Sequence, residues 1–358
     1  MKCFSFDIHY SLFDILRFSF VTPRILFQKS DTMEPFKGNK IRLGVIGVGH
    51  LGEYHVQKYK ALPQVELVGV VDTNSDRAHE IARQYDTKAY GNHYDILSSV
   101  DAVSLAVPTE MHFRVAKDVL SEGVHLLIEK PITYNIEPAD ILIGLAREKD
   151  LILQVGLIER FNPAVVGMQS MLTRPVFIES HRMNPFTTRG TDVDVVIDLM
   201  IHDLDIMFHL VASDVKEVHA VGMTVLTKKT DIANVRIIFD NGTVGNLTAS
   251  RVSDKTLRKI RLFQPDAYLA ADCQKRELSV TRLDGEVKDS NRFPQVVSQT
   301  ISYPDCDPLA DEISSFVTAV QNGSKPVVSG EDGRRALKYA LQIMEQIERG
   351  CKNFETIC

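Results

Sequence analysis

A chain of 358 residues is longer than a single hydrophobic core usually grows, so two domains are expected. With 44% hydrophobic residues, 25% charged residues and a net charge of −6, the composition is that of a soluble globular protein and lacks the basic footprint that nucleic acid requires. Cys3, Cys273, Cys306, Cys351 and Cys358 form no CxxC pair and no regular framework, so neither a disulfide scaffold nor a zinc site is indicated and a reducing cytoplasm fits best.

Residues 1–38 differ from the rest, holding Phe4, Phe6, Phe13, Phe18, Phe20, Phe27 and Phe36 of the 17 phenylalanines. Asp7, Asp14 and Arg17 interrupt the apolar run that a signal peptide needs, and no transmembrane helix fits. The segment is expected to be a poorly ordered extension upstream of a core that starts near Met33; an amphipathic helix on a membrane surface is the other reading. No stable membrane association is expected.

From residue 39 the pattern alternates. A short apolar strand is predicted over 41–46, a helix over 53–60 that Pro63 ends, a buried strand over 65–71 and a helix over 75–85. A strand over 102–107, a helix over 112–122, a strand over 124–128, a helix over 138–149 with Pro138 at its start, and a strand over 152–155 complete the series. Strand and helix in alternation imply a doubly wound parallel sheet of Rossmann type over 39–156. Beyond 156 the strands lengthen, over 215–226 and 235–239, and Asp240-Asn241-Gly242 marks a hairpin before 243–250. Further strands over 258–262, 267–272 and 277–282, then helices over 309–321 and 330–349, predict an α+β domain over 157–358 with a large open antiparallel sheet. Such a face is a common dimerisation surface, and the C-terminal helices are expected to pack back.

The turn Gly47-Val48-Gly49-His50-Leu51-Gly52 lies between the first strand and the first helix. Gly47 permits the tight turn, Gly49 lets the backbone approach a pyrophosphate and Gly52 lets the helix pack on the strand, while helix N–H groups face the anion. His50 and Leu51 belong to this expected cofactor site, without a catalytic role for His50. Asp72 ends the next strand 20 residues after Gly52, where a carboxylate accepts hydrogen bonds from an adenosine ribose and repels a 2′-phosphate. The expected cofactor is therefore NAD rather than NADP, although Arg77 lies nearby.

Lys130 follows Glu129 at the carboxyl end of a predicted strand, where ligands of open α/β sheets bind, and Pro131 follows it. Over 198–205, Asp198 and His202 are one helical turn apart on one face. Oxidising an alcohol requires a base for the hydroxyl proton while hydride leaves carbon, and His has a suitable pKa. A surface helix with i, i+4 charge pairing would show the same spacing.

The sequence resembles the Gfo/Idh/MocA oxidoreductases through GVIGVGHLG at 44–52, AVPTEMH at 106–112, EKP at 129–131, QVGLIERFNP at 154–163 and DLMIHDLD at 198–205. The match covers nearly everything after residue 40. The resemblance implies a Rossmann domain followed by an α/β domain with an open antiparallel sheet, and assembly into dimers or tetramers. It implies Lys130 as the lysine bridging substrate and nicotinamide ribose, His202 as catalytic acid/base and Asp198 as the carboxylate holding a substrate hydroxyl. It also implies Pro108, Thr109 and His112 as cofactor-lining, with Glu129 beside them, and Arg160 and Asn162 at the boundary of cofactor and substrate. The family often carries glycines ahead of the Asp-xxx-His helix, where this chain has Val195-Val196-Ile197.

Ahead of that helix lie Arg182 and Arg189, a pair able to grip a pyrophosphate bidentately, or else surface charges balancing Glu179 and Asp192. The segment 179–192 resembles that of family members acting on nucleotide sugars, UDP-N-acetylglucosamine 3-dehydrogenases among them. The expected activity is thus NAD-dependent oxidation of a sugar's secondary alcohol, at C3 of such a nucleotide sugar. A free-sugar or inositol dehydrogenase and an NAD-dependent glycosidase are the alternatives within the fold. A non-catalytic dinucleotide or sugar sensor is the alternative of another class.

Overall fold

Residues 41–46 are apolar apart from the exposed Arg42, and they form β1 (Ile41–Ile46) with its last four residues buried, as a strand covered by helices on both faces must be. The computed structural model describes residues 39–188, 190–284 and 295–355. The expectation for residues 1–38 therefore lies outside the described residues, as does Arg189.

Parallel to β1 run β2 (Val65–Val71), β3 (Lys88–Tyr90), β4 (Ala102–Leu105), β5 (His125–Glu129) and β6 (Leu153–Gly156), in the order β3-β2-β1-β4-β5-β6. This is the doubly wound arrangement, and the order reverses between β1 and β4, which opens a crevice at their carboxyl ends. The helices α1 (His50–Ala61), α2 (Ser75–Gln84), α3 (Tyr94–Leu97), α4 (Thr109–Ser121) and α5 (Ile136–Glu148) connect these strands. One face of the sheet packs α4 and α5 through Val115, Val119, Leu142 and Ala146. The other packs α1 through Val56 and Tyr59.

A 3₁₀ turn (Ile158–Phe161) and α6 (Pro163–Ser170) lead into the second sheet, eight strands in the order β14-β13-β12-β11-β7-β10-β9-β8. They are β7 (Phe177–Met183), β8 (Val215–Met223), β9 (Ile232–Phe239), β10 (Val244–Ser250), β11 (Leu257–Gln264), β12 (Ala267–Asp272), β13 (Glu277–Asp284) and β14 (Gln295–Ser302). The sheet is mostly antiparallel, but β7 runs parallel to β10. This strand has no apolar alternation in the sequence. It alternates all the same: Ile178, Ser180 and Arg182 are buried, while Phe177, Glu179, His181 and Met183 face outward.

Between β7 and β8 a π turn (Val196–Met200) opens α7 (Ile201–Val211), whose Leu204, Met207 and Phe208 enter the core of this sheet. After β14, α8 (Pro308–Asn322) places Ile313, Phe316 and Val317 against α1. The last helix, α9 (Gly330–Glu355), spans both cores: Ala336 and Leu337 join the parallel sheet's cluster, Ala340, Ile343 and Ile347 the other. On the outer face of the second sheet, Phe177, Phe263 and Tyr268 stack with ring centroids 5.5 and 4.9 Å apart. Among the described residues no helix is long and apolar enough to cross a membrane.

Candidate active site

The crevice between β1 and β4 is a groove of about 460 Å³ lined by Gly47, Gly49, Asp72, Asn92, Tyr94 and Pro108, among others. The three glycines of the turn have separate reasons to be glycine. Gly47 has φ +85°, and a Cβ there would lie 2.7 Å from the Ala106 carbonyl oxygen. A Cβ on Gly52 would lie 1.8 Å from the Gly47 carbonyl oxygen, since α1 packs directly over the turn. Gly49 has nothing within 4 Å of its Cβ position, and it caps α1 without a side-chain bond, so the first-turn N–H groups face open space. That open cradle at a helix N-terminus fits the pyrophosphate of a dinucleotide.

Asp72 completes the cradle. Its Oδ2 accepts the Val48 N–H at 2.9 Å and its Oδ1 accepts the Asn74 N–H at 2.9 Å, which fixes the carboxylate at the groove wall with lone pairs left for a ribose diol. Arg77 is turned away from that task. Its Nε donates to the Val48 carbonyl, and its other nitrogens pair with Glu53 at 2.5 Å and Glu80 at 2.9 Å. With a carboxylate at the ribose position and the nearby guanidinium engaged, the groove suits NAD better than its 2′-phosphate. His50 and Leu51 are exposed on the first turn of α1, with His50 edge-on to Tyr54. Neither side chain lines the groove, and it is the backbone of this turn that faces the cradle.

Pro108 lines the groove and Thr109 starts α4 behind it. His112 does not: it is 1% exposed, and its ring nitrogens face the carbonyls of Pro131 at 2.8 Å and Val107 at 3.0 Å. Burial lowers its pKa, so the ring ties the β4–α4 turn to the segment after β5. Glu129 is likewise buried, accepting from the Lys130 backbone N–H at 3.3 Å and lying 3.1 Å from His55 Nε2. Both residues shape the wall from behind.

The Lys130–Pro131 peptide is cis, and the Lys130 side chain reaches the π turn ahead of α7. Nζ donates to the Asp198 carbonyl at 2.8 Å and lies 3.4 Å from Asp198 Oδ1. Asp198 sits in the π turn, not in a regular α-helix, and such a turn interrupts the ordinary carbonyl ladder. His202, on the first turn of α7, is partly exposed, with Nδ1 buried and without a hydrogen-bond partner. Burial, then the positive charges of Lys130, Arg182 and Arg258, hold its pKa well below the usual 6.5. The imidazole is therefore neutral and able to take a proton. The structure thus gathers Lys130, Asp198 and His202, which are far apart in sequence.

Three residues expected at the substrate are engaged by buried partners. Arg182 is 3% exposed on the inner face of β7, clamped by Asp203 at 2.9 and 3.0 Å and by Glu159 at 2.7 Å, so it has no free edge for a pyrophosphate. Arg160 is buried in a bidentate pair with Asp205 at 2.9 and 2.5 Å. Asn162 is 4% exposed and caps α6, accepting from Ala164 N–H and donating to Glu159 and the Cys273 carbonyl. The two arginines share a physical reason: the helix carrying His202 also presents Asp203 and Asp205 inward, and buried carboxylates require partners. The residues that sequence reasoning missed are Asn92 and Tyr94 in the groove, and Arg258, whose charge reaches His202. Among the described residues no group of three His, Cys, Asp or Glu could hold a metal ion.

Residues 41–157 match the oxidoreductase family described as having an NAD-binding Rossmann fold, and residues 165–264 match the C-terminal domain of the same family. The chain is 41% identical over 310 residues to the UDP-N-acetylglucosamine 3-dehydrogenase of Acidithiobacillus ferrooxidans, covering 86% of this chain and 97% of that protein. A solved structure of that enzyme superposes with a TM-score of 0.80 at 39% identity, over 87% of this chain and 98% of the other. The myo-inositol 2-dehydrogenase of Thermotoga maritima is 24% identical over 86% of this chain and 96% of its own length. An open phosphate cradle and a lysine reaching the aspartate one turn ahead of a histidine whose Nδ1 is buried, on a chain matched by both family domains, make this protein a member of the Gfo/Idh/MocA family of oxidoreductases.

Proposed function

We propose that the protein is an NAD-dependent dehydrogenase that oxidises a secondary alcohol of a nucleotide sugar, at C3 of a substrate such as UDP-N-acetylglucosamine. The observation that carries this reading is the 41% identity, over 97% of its length, to a UDP-N-acetylglucosamine 3-dehydrogenase. The composition of the site supports it. When bound, NAD supplies the hydride acceptor.

This chain's own residues handle the proton. His202, kept neutral by burial and by three nearby positive charges, takes the hydroxyl proton as the alcohol is oxidised. The Asp198 carboxylate, 39% exposed, accepts a hydrogen bond from a substrate hydroxyl and so fixes which carbon faces the groove. Lys130 donates from Nζ, steadying the negative charge that develops on the substrate oxygen as its proton leaves. In this reading residues 39–156 hold the cofactor. The second sheet, with its open outer face, serves the substrate and a homo-oligomer.

The test is NADH formation from NAD against a panel of UDP-sugars, free sugars and inositols. UDP-N-acetylglucosamine is expected to be turned over, and His202→Ala to lower turnover by roughly a hundredfold or more. Turnover confined to free sugars or inositols would overturn the nucleotide-sugar reading. A null result across the panel would leave only the sensor.

A further inference from the structure

A second cavity, of about 410 Å³, lies where the 3₁₀ turn, the start of β11, the β12–β13 turn and the start of α8 meet. Its walls include Glu159, Arg258, Gln274, Arg276 and Asp307. The two acids are already engaged. Glu159 accepts from Arg182 at 2.7 Å and Asn162 at 3.1 Å; Asp307 pairs with Lys58 at 2.6 Å and accepts the Ala310 N–H.

The two arginines are not engaged to the same degree. Arg258 stands opposite Arg182 in the β7–β11 pair, on the same inner face, but its nearest carboxylate is the shared Glu159 at 3.6 Å. Its side chain is 41% exposed, and its Nε is buried with no hydrogen-bond partner. Across the cavity, Arg276 adopts φ +57°, a costly conformation for any residue but glycine, held where its carbonyl accepts the Tyr303 N–H. Its Nη1 donates to the Cys306 carbonyl at 2.5 Å and more weakly to that of Pro304 at 3.4 Å. Among the described residues no carboxylate lies within 4.0 Å of its guanidinium. The backbone thus anchors a guanidinium whose charge is unpaired.

Two guanidinium groups facing one cavity, one with a bare buried donor, match the paired oxygens of a diphosphate. The cavity is also in electrostatic contact with the chemistry. Arg258 is among the charges that act on His202, and Glu159 joins it to the Arg182–Asp203 clamp one residue from that histidine. We infer that this cavity is a diphosphate subsite, in which Arg258 and Arg276 hold the phosphate groups of a nucleoside diphosphate while its sugar lies at Lys130, Asp198 and His202. The inference rests on the nucleotide-sugar reading and moves the anion-binding role from Arg182 to its cross-strand neighbour.

The test is calorimetric titration of UDP into protein saturated with NADH, which keeps UDP out of the cofactor groove, with uridine and inorganic pyrophosphate as separate arms. UDP is expected to bind, pyrophosphate to compete with it and uridine alone to bind much more weakly. Arg258→Gln should weaken UDP at least tenfold and raise the KM for UDP-N-acetylglucosamine by a similar factor, with NADH affinity as the control for folding. Gln274→Glu, which adds a negative charge at the exposed lip of the cavity, should weaken UDP in the same direction if Arg258→Gln fails to fold. Unchanged UDP affinity in a folded variant, or no UDP binding by the unaltered protein, overturns the subsite. Turnover of UDP-N-acetylglucosamine with an unchanged KM in Arg258→Gln would sink the subsite and leave the proposed function standing. UDP binding lost in Arg258→Gln, without turnover of any UDP-sugar, would do the reverse.

Discussion

His202 must be neutral before it can take a proton, and its surroundings act to keep it so. Burial comes first and the charges of Lys130, Arg182 and Arg258 second, both lowering the pKa from 6.5. The sign follows directly: protonation, which disables the base, begins only well below pH 6.5. For alcohol oxidation, kcat/KM is expected to show no acid loss from this group between about pH 8 and 6.5 and to fall at lower pH. A pH profile of the initial rate checks this, and an acid limb centred above 6.5 would remove His202 as the base. At this scale Lys130, Asp198 and His202 are legible in the sequence through the family resemblance, because their spacing alone fits a charge-paired surface helix equally well. Arg160 and Arg182 look like free cations in a string of letters, and only the fold shows that Asp205 and Asp203 are buried opposite them.

At the scale of elements, the turn between β1 and α1 makes two glycines separable by experiment. Gly52→Ala would drive a methyl into the Gly47 carbonyl 1.8 Å away and should destabilise the fold together with cofactor binding. Gly49→Ala meets nothing within 4 Å, and Gly49 has the ordinary φ of −62°, so stability should change by no more than about 1 kcal/mol. The methyl would still stand where the backbone approaches the pyrophosphate, so NADH affinity, followed by fluorescence titration, should fall about tenfold or more. Retained affinity in Gly49→Ala would contradict that placement of the cofactor. Most elements of the parallel sheet could be read from periodicity because both faces of its strands are apolar. β7 could not, since its inner face is filled by Ser180 and Arg182 as well as Ile178, and an ion pair hides a strand's hydrophobic period. The π turn at Asp198 escaped for a related reason: the sequence carries helical spacing, and the extra residue in the turn leaves no compositional trace.

For the molecule as a whole, α8 and α9 are what return the C-terminal chain to the parallel sheet, and α8 carries an unusual buried group. Glu312 is 0% exposed, neither carboxyl oxygen has a partner, and burial, then the nearby Glu129, raises its pKa well above the usual carboxylate range. A raised folded pKa means stability that is present in acid and lost as pH rises. Glu312→Gln should therefore melt like the unaltered protein near about pH 4 and several degrees higher near about pH 8. Thermal melts across that range check it, and a gain independent of pH would show that Glu312 is not held protonated. Elsewhere two clamps, Arg160–Asp205 and Arg182–Asp203, bind α7 to the 3₁₀ turn and to the second sheet. Lys130 belongs to the other sheet, and its bond to the Asp198 carbonyl crosses the joint between them. The clamps hold within the second half of the chain and its leading turn, whereas the lysine is the group that reaches over from the carboxyl end of β5. The meeting of Lys130 with Asp198 is therefore a property of the joint between the two sheets, and a change at that joint would reach the proposed acid–base group without touching it.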